Sequence, residues 1–315
     1  MSVIKNLKVQ KTFVWTLKLV LFIAVLFFFV QQILRIEFNQ FNSIQLEHPM
    51  YIVLVLLLLP VNWGLELVKW QRILKVNNIH YNLKELSHSL FSGVTTGIIT
   101  PNRIGNFIGR MLFFKGKLRG QLILGTLYSN FSQFLVTLFF GVLSIIFLMD
   151  MILDAYTFSL VNISILIFFV ALLFYISVPF LPLHRIKFLN RKLNILIHFQ
   201  KQSKKLFLPL LTFSGLRYIV FSMQFLLMLM SFGVKPSILL YAGILMLYLV
   251  STLTPSIFFG KLVIRETAGL IILSLFVENP ALIIVSSLLL WFINLGVPSL
   301  LGLFFILKRK TLANA

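Results

Sequence analysis

Long apolar segments separated by short basic stretches limit this chain to a membrane protein. Of its 315 residues, 59% are hydrophobic and only 11% are charged, whereas a soluble domain carries roughly a quarter charged residues. A soluble globular enzyme, a disordered tail and a fibrous repeat are therefore excluded. The length accommodates about six to eight helical spans with short loops and leaves no room for a folded soluble domain. We therefore expect a single membrane domain over residues 1–315.

The basic residues lie in the gaps between the apolar segments. Lys and Arg number 28 against 8 Asp and Glu, which gives a net charge of +20. Such an excess could indicate nucleic-acid binding. Here, however, the charges flank apolar runs, as expected for cytoplasmic loops that lie against anionic headgroups. We therefore expect membrane lipids as partners and no nucleic acid. The chain has no cysteine, which excludes thiol catalysis and cysteine metal sites, and no cofactor or metal is indicated.

Six apolar segments have the length of a full membrane span. The charges of the loops between them predict that both termini are cytoplasmic. The first segment follows Lys5, Lys8 and Lys11 as a signal peptide would, but it has no cleavage site and is interpreted as an uncleaved span. The six spans cover approximately residues 13–34, 50–68, 122–148, 158–181, 208–232 and 281–306.

Two further apolar segments cannot cross the membrane as ordinary helices. Residues 86–100 would form ~22 Å of helix, which is shorter than the ~30 Å hydrocarbon core, and basic stretches lie on both sides. The second segment runs from Ile238 to Leu253, breaks, and returns to Phe276. A re-entrant helical hairpin is the simplest structure for each, because backbone at membrane depth must stay hydrogen-bonded within the protein.

The two breaks share a motif. Each has a Thr-Pro pair, then a glycine and an arginine at similar spacing: Thr100, Pro101, Gly105 and Arg110 in the first, and Thr254, Pro255, Gly260 and Arg265 in the second. The loop charges predict that the two hairpins enter from opposite sides. The fold predicted is therefore an all-α membrane protein with an inverted-topology repeat, whose halves are residues 1–150 and 151–315. Such a repeat places a substrate site near the bilayer midplane.

The hairpin tips are candidate anion sites. Thr is a good N-cap and Pro is favoured at the first helical position, so both return helices are predicted to begin at Thr-Pro and to point free N–H groups at the tip. Basic residues follow each tip, and each costs ~2.5–3.5 kcal/mol at depth unless it finds a partner. The predicted substrate-binding residues are Thr100, Pro101, Arg103, Gly105, Arg110, Thr254, Pro255, Gly260, Lys261, Arg265 and Glu266.

Several of these charges have a second interpretation. Arg103 and Arg110 could instead extend to the cytoplasmic interface and only obey the charge rule. Glu266 is predicted to pair with a basic residue across the hairpins, or else to balance Arg265 alone. Glu66 could couple transport to protons, but it lies three residues before Lys69, which favours a local ion pair at the membrane edge.

The remaining polar residues of the spans are expected to have mainly structural roles. Most such groups form hydrogen bonds between helices, and a minority would line a pathway. The pair of glycines at positions 105 and 109 is expected to permit close helix packing rather than to hold a phosphate. The polar residues in or beside spans are Asn130, Gln133, Arg217 and Asn294.

Three groups of residues resemble a known family. Asn62-Trp63 and Trp70 stand at the inner end of the second span, the first break reads Thr100-Pro101-Asn102-Arg103-Ile104-Gly105, and the second combines Gly260 with Arg265-Glu266. Over nearly the whole chain, the sequence resembles the multi-pass transmembrane region of lysylphosphatidylglycerol synthases and related flippase-like bacterial membrane proteins. The resemblance implies a plasma-membrane protein that handles phospholipid or a similar lipid across the bilayer. We expect no soluble synthase domain, so synthase activity is not implied.

The function expected from these features is lipid translocation in the bacterial cytoplasmic membrane. An anionic or phosphate-bearing headgroup would sit between the two hairpin tips while the lipid tails stay in the bilayer. Two alternatives remain open: a non-transporting scaffold that docks a partner through the most basic loop, residues 184–205, and a membrane-embedded lipid-modifying enzyme. No histidine or paired carboxylate lies near the tips, so we expect no catalytic residues and no enzymatic activity.

Overall fold

The computed structural model of this protein describes residues 38–100, 104–114, 119–152, 155–181, 192–254 and 260–313, with isolated positions between 16 and 36. The described residues form helices and no strands. A 3-10 turn, Val178–Phe180, follows α6, and a π-helical turn, Phe292–Gly296, joins the last two helices. The α-helices are α1 Phe38–Asn42, α2 Pro49–Val76, α3 Leu83–Ile98, α4 Gly105–Met111, α5 Arg119–Ile152, α6 Ala155–Ser177, α7 Lys192–Ser231, α8 Ile238–Leu253, α9 Gly260–Leu273, α10 Pro280–Trp291 and α11 Val297–Ala313.

The helices that are long enough to span a membrane lie where the sequence predicted them. Within the described residues, five helices are long and apolar enough to cross a membrane. They correspond to five of the six predicted spans, and the remaining one, residues 13–34, lies almost entirely outside the described residues. This protein is therefore a multi-pass α-helical membrane protein. The five helices are Pro49–Val76, Arg119–Met149, Asn162–Phe180, Ile195–Ser231 and Pro280–Lys308.

Helix α7 is much longer than the sequence indicated. The predicted span began at Leu208, whereas the helix begins at Lys192 and continues through Pro209. The second half of the predicted basic loop 184–205 is therefore helical, and its first half, up to residue 191, lies outside the described residues. The extension is held by packing that charge counting does not detect, because Phe199 is buried with its ring 5.7 Å from that of Tyr128 on α5.

Helices α3 and α4 form the first hairpin, and α8 and α9 form the second. Helix α3 begins with a capping box, in which the Asn82 side chain accepts from the Glu85 N–H and the Glu85 side chain accepts from the Asn82 N–H. Outside the hairpins, α2 packs most extensively on α7, α3 packs on α11, and α8 packs on α5. Each hairpin is thus flanked by a long helix that follows the other hairpin in the chain.

The first hairpin closes through two glycines of α4. A Cβ on Gly109 would collide with the carbonyl oxygen of Ser92, and one on Gly105 would collide with the carbonyl oxygen of Thr96. The Thr96 hydroxyl donates a hydrogen bond to the Gly105 carbonyl at 2.6 Å. The prediction that this glycine pair permits close packing is therefore confirmed.

The prediction that the Thr-Pro threonines begin the return helices is wrong. Helix α4 begins at Gly105, with Ile104 as its N-cap, and Thr254 is the C-cap of α8. The Thr100 hydroxyl donates to the Thr96 carbonyl at 2.9 Å and accepts from the Gly105 N–H at 2.7 Å. A threonine hydroxyl can bond the carbonyl one turn earlier as well as a free N–H. Thr254 therefore ends α8, and Thr100 bridges the end of α3 and the start of α4. The prolines, Pro101 and Pro255, lie outside the described residues.

Hydrogen bonds at the two ends of α2 and α7 show that these helices run antiparallel. At one end of the bundle, the N–H of His48, before α2, donates to the carbonyl of Ser231 at the end of α7, at 3.0 Å. At the other end, the Gln202 side chain of α7 donates to the carbonyl of Val76, the last residue of α2, at 3.2 Å.

The two hairpins follow from opposite ends of this pair. Helix α3 begins seven residues after the end of α2, and α8 begins seven residues after the end of α7. This placement agrees with hairpins that enter from opposite sides. The inverted repeat, its division between residues 150 and 151, and the cytoplasmic position of the termini stay predictions.

Candidate functional site

A cavity of about 460 Å³ lies between the two hairpins. Both hairpins line it, together with α2, α5, α7, α10 and the π-helical turn. Asn62 lies at the middle of Pro49–Val76 and Asn294 at the middle of Pro280–Lys308, so the cavity is at mid-depth in the bundle. Its polar lining residues are Asn62, Glu66, Lys69, Asn106, Arg110, Asn130, Gln133, Thr137, Tyr248, Ser251, Thr252, Arg217, Arg265 and Asn294.

Glu66 is the centre of a cluster of three cations. One carboxylate oxygen lies 2.7 Å from Nη2 of Arg110. The other lies 3.2 Å from Nη1 of Arg217 and 3.4 Å from Nζ of Lys69. The three cations come from α4, α7 and α2 respectively, so one carboxylate connects the first hairpin to two long helices. We call Glu66, Lys69, Arg110 and Arg217 the Glu66 cluster.

The Glu66 cluster is almost entirely buried. Glu66 is 5% exposed, Lys69 1% and Arg110 2%, while the Arg217 side chain is 20% exposed. Taking charges out of water is expensive, and charged groups at this depth require partners. Three cations around one carboxylate leave two positive charges without a counter-ion inside the cluster.

Arg110 is oriented from three directions. Its Nε donates to the Asn106 side-chain oxygen, one helical turn earlier on α4, at 2.9 Å, while Nη2 bonds Glu66. The guanidinium also lies over the Trp70 ring, 5.1 Å from its centroid, which is a favourable cation–π distance. The Trp70 indole N–H is itself held by the Ser89 hydroxyl at 2.8 Å.

Arg217 is oriented in the same way by a chain of amides. Its Nε donates to the Asn62 side-chain oxygen at 2.9 Å, and its guanidinium lies 5.6 Å from the Trp63 ring centroid. Asn62 donates to the Asn294 side-chain oxygen at 3.2 Å, and Asn294 donates to Gln224 at 3.0 Å. This chain joins α2, α7 and the π-helical turn, a backbone irregularity that is frequent at functional sites.

The second hairpin contributes a separate ion pair. Arg265 on α9 lines the cavity, and its Nη2 lies 2.7 Å from the carboxylate of Glu266. Glu266 is 1% exposed and accepts from the Ser287 hydroxyl at 2.8 Å. Its second oxygen has no hydrogen-bond partner among the described residues. Of the two pairings expected for Glu266, the structure shows the one with Arg265, and no ion pair across the hairpins is found among the described residues.

A family model described as lysylphosphatidylglycerol synthase TM region matches residues 15–302. The chain belongs to this family. The resemblance read from the sequence is thereby confirmed, and it places this chain among membrane proteins of lipid metabolism or translocation. No curated protein and no solved structure gives a significant match.

Several of the described residues that carry the family resemblance lie at or next to the cavity. Asn62 and Trp63 line it, and Trp70 contacts Arg110, which also lines it. Arg265 lines it from the second hairpin, and Glu266 pairs with Arg265. In this member of the lysylphosphatidylglycerol synthase TM family, the resemblance residues of the second span and those of the second break therefore converge on one site.

The predicted substrate-binding residues divide into three groups. Arg110 and Arg265 line the cavity, and the alternative that Arg110 only extends to the interface is wrong, because it is buried in an ion pair. Four described residues do not line the cavity: Gly105 and Thr100 shape the first hairpin, Thr254 ends α8, and Glu266 pairs with Arg265. The remaining residues whose surroundings lie outside the described part of the structure are Pro101, Arg103, Pro255, Gly260 and Lys261.

Sequence reasoning underestimated the contribution of the long helices. The Glu66–Lys69 ion pair was predicted and is confirmed, but it is not a local pair alone, because Glu66 also contacts two arginines and both residues line the central cavity. The other polar span residues, Asn130, Gln133, Arg217 and Asn294, all line it as well. A signal was available, because Glu66, Asn62 and Trp63 fall near the middle of an apolar helix, where polar groups are costly.

Proposed function

We propose that this protein translocates a lipid with a phosphate-bearing headgroup across the bacterial cytoplasmic membrane. The observation that carries the proposal is the Glu66 cluster, a set of buried cations in a cavity at mid-depth in the bundle. A lipid headgroup that crosses a membrane needs polar groups at this depth, since the hydrocarbon core offers none.

The charge and geometry of the cavity favour an anion. Two of the cationic side chains are arginines, each with its Nε held by an asparagine and one terminal nitrogen on Glu66. Among the described residues, no hydrogen bond is made by the second terminal nitrogen of either guanidinium, so it is available to a ligand. Arginine binds phosphate with paired donors. Arg265 adds a cation from the opposite hairpin.

The size of the cavity favours a headgroup over a whole lipid. A volume of about 460 Å³ is within the roughly 300–1,000 Å³ of ordinary small-molecule pockets, and it does not hold two acyl chains. The tails would therefore remain in the bilayer while the headgroup moves between the hairpins. Alternating exposure would come from movement of one hairpin and its flanking helices relative to the other, with the Glu66 cluster connecting α4 to α2 and α7.

A transport assay in liposomes tests this proposal. The full chain is reconstituted with fluorescent phosphatidic acid or phosphatidylglycerol, and chemical bleaching from outside reports the rate at which inner-leaflet label becomes accessible. Arg217→Gln and Arg265→Gln are expected to slow the rate to that of protein-free liposomes, because each removes a cation that lines the cavity. Arg72→Gln removes an exposed cation of the same helix as Glu66 and is expected to keep the wild-type rate.

The outcomes are distinct. Wild-type protein that moves neither anionic lipid would contradict translocation and favour the scaffold function. Equal slowing by Arg72→Gln and Arg217→Gln would show that the effect comes from overall charge and not from the cavity.

A further inference from the structure

We propose that the Glu66 cluster selects lipids whose headgroup ends in a phosphate monoester over lipids whose phosphate is a diester. The inference rests on the proposed function, because it assumes that the cavity receives a lipid headgroup. It concerns the charge that this headgroup must carry.

The Glu66 cluster carries more positive than negative charge. Lys69, Arg110 and Arg217 surround the single carboxylate of Glu66. Among the described lining residues Glu66 is the only acidic one. Glu266 is paired with Arg265 and does not line the cavity. The cluster therefore presents two positive charges that no described side chain neutralises.

The two kinds of phosphate headgroup differ in their negative charge. A phosphodiester carries one negative charge, whereas a phosphate monoester carries about −1.5 to −2 near pH 7. Unbalanced charge in a buried site is costly, so a diester leaves the cluster with one uncompensated cation and a monoester leaves almost none. A headgroup that also carries an ammonium is disfavoured further, because it adds a cation to a site that already has an excess.

The two guanidiniums of the cluster point towards the same place. The two guanidiniums contact opposite oxygens of one carboxylate, Arg110 at 2.7 Å and Arg217 at 3.2 Å, so they converge on one place. Asn106 and Asn62 fix their planes through the 2.9 Å hydrogen bonds to each Nε. A terminal phosphate offers three oxygens to such converging donors, whereas a diester offers two, which matches the monoester to two guanidiniums and an ammonium.

Glu66 has a defined role in this arrangement. It holds the three cations together when no headgroup is bound, and it occupies only one side of each guanidinium. The monoester would bind on the remaining side, with Glu66 still ionised, because the total of three cations exceeds what one carboxylate balances. Glu66, Asn106 and Asn62 are therefore positioning residues for the phosphate, and Arg110, Arg217 and Lys69 are the groups that contact it.

The test compares a lipid whose headgroup is a phosphate monoester with a lipid whose phosphate also carries a second glycerol. Thermal stability of the purified full chain in detergent is titrated with phosphatidic acid and with phosphatidylglycerol of identical acyl chains. The wild-type protein is expected to bind phosphatidic acid about tenfold more tightly, as one extra unit of charge at contact distance predicts after the cost of desolvation. Arg217→Gln lowers the excess charge of the cluster from two to one and is expected to remove the preference.

Three further measurements test whether the preference comes from the cavity and whether the ligand is a lipid. Arg72→Gln, which lowers the net charge equally but outside the cavity, is expected to keep the preference. Inorganic phosphate and glycerol 3-phosphate are expected to stabilise the protein far less than phosphatidic acid. Stabilisation by inorganic phosphate equal to that by phosphatidic acid would overturn the assignment to a lipid and indicate a soluble phosphate as ligand.

Failure of this inference is distinguishable from failure of the proposed function. Equal affinity of the wild-type protein for the two lipids would overturn charge selection, even if both lipids are transported in liposomes. This comparison needs no variant, so it remains decisive if Arg217→Gln does not fold.

Discussion

Arg110 and Glu66 are 44 positions apart in the chain, yet they form a 2.7 Å ion pair in which both side chains are almost completely buried. The pair joins the return helix of the first hairpin to the middle of a membrane-spanning helix. Because the same carboxylate also contacts Arg217 and Lys69, the position of the hairpin, the long helices and the cavity charge are coupled through one residue.

Removing Glu66 is expected to destabilise the protein more than removing Arg110. Glu66→Gln leaves three buried cations without an anion, and breaking a buried pair in this way costs about 3–5 kcal/mol. Arg110→Gln leaves Glu66 with two cations and should cost less. Thermal unfolding followed by size-exclusion chromatography measures both variants. The double variant is expected to be more stable than the sum of the two losses predicts, with a coupling of about 1–3 kcal/mol, and strict additivity would contradict the ion pair.

Gly109→Ala is expected to open the first hairpin. The added Cβ would collide with the carbonyl oxygen of Ser92 and the hydroxyl of Thr96, and overpacking of this kind costs about 1–3 kcal/mol. Gly64→Ala is the matched control, because no heavy atom lies within 4 Å of the corresponding Cβ position. The melting temperature should fall for Gly109→Ala and stay constant or rise for Gly64→Ala. Equal melting temperatures would show that α4 does not pack closely on α3.

Asn294→Leu is expected to weaken the orientation of Arg217. The substitution removes the group that bonds both Asn62 and Gln224, and each hydrogen bond between membrane helices contributes about 1 kcal/mol. Asn162→Leu, at an exposed position of α6, serves as the control. In the thermal-stability titration Asn294→Leu should reduce the apparent affinity for phosphatidic acid, whereas Asn162→Leu should leave it unchanged. An unchanged affinity would contradict the role of the amide chain.

Cysteine labelling is expected to detect the cavity directly. The chain has no cysteine, so single cysteines can be introduced without further changes. Ser251→Cys places a thiol on the cavity lining, and it should react with a small anionic thiol reagent at a rate that added phosphatidic acid lowers. Ser286→Cys, which is fully buried and is not a lining residue, should react slowly in both conditions. Labelling at Ser251→Cys that lipid does not slow would separate the cavity from the lipid site.

The long helices could be predicted from sequence because their signal is local. A membrane-spanning helix needs about 20 consecutive apolar residues, so apolar length alone indicated the helices that the structure describes between Pro49 and Lys308. The hairpins were predicted for the same reason, since α3 and α8 are apolar but only 16 residues long. The start of α7 at Lys192 was missed because basic residues near a helix end resemble a loop. Tertiary contacts, such as the packing of Phe199 on Tyr128, hold this stretch in the bundle.

The candidate site could be predicted only in part. Arg110 and Arg265 were recognised because they recur at matching positions after the two breaks, and both line the cavity. Thr100 and Thr254 do not begin the return helices, because a threonine hydroxyl can satisfy the helix that ends as well as the helix that begins. The sequence pattern does not distinguish these two uses. The Thr254 hydroxyl bonds the helix that ends, whereas the Thr100 hydroxyl bonds both helices.

The amino-acid sequence by itself determined that this chain resides in a membrane, where its long helices lie and that two hairpins interrupt them, because hydrophobic length acts on each segment independently. Tertiary structure alone decided that Glu66 meets Arg110 and Arg217, and that these charges face one cavity. The physical reason is that an ion pair between helices depends on how the helices cross and on which faces they bury. Glu66 and Arg110 are 44 positions apart, and no local sequence pattern predicts a contact over that separation.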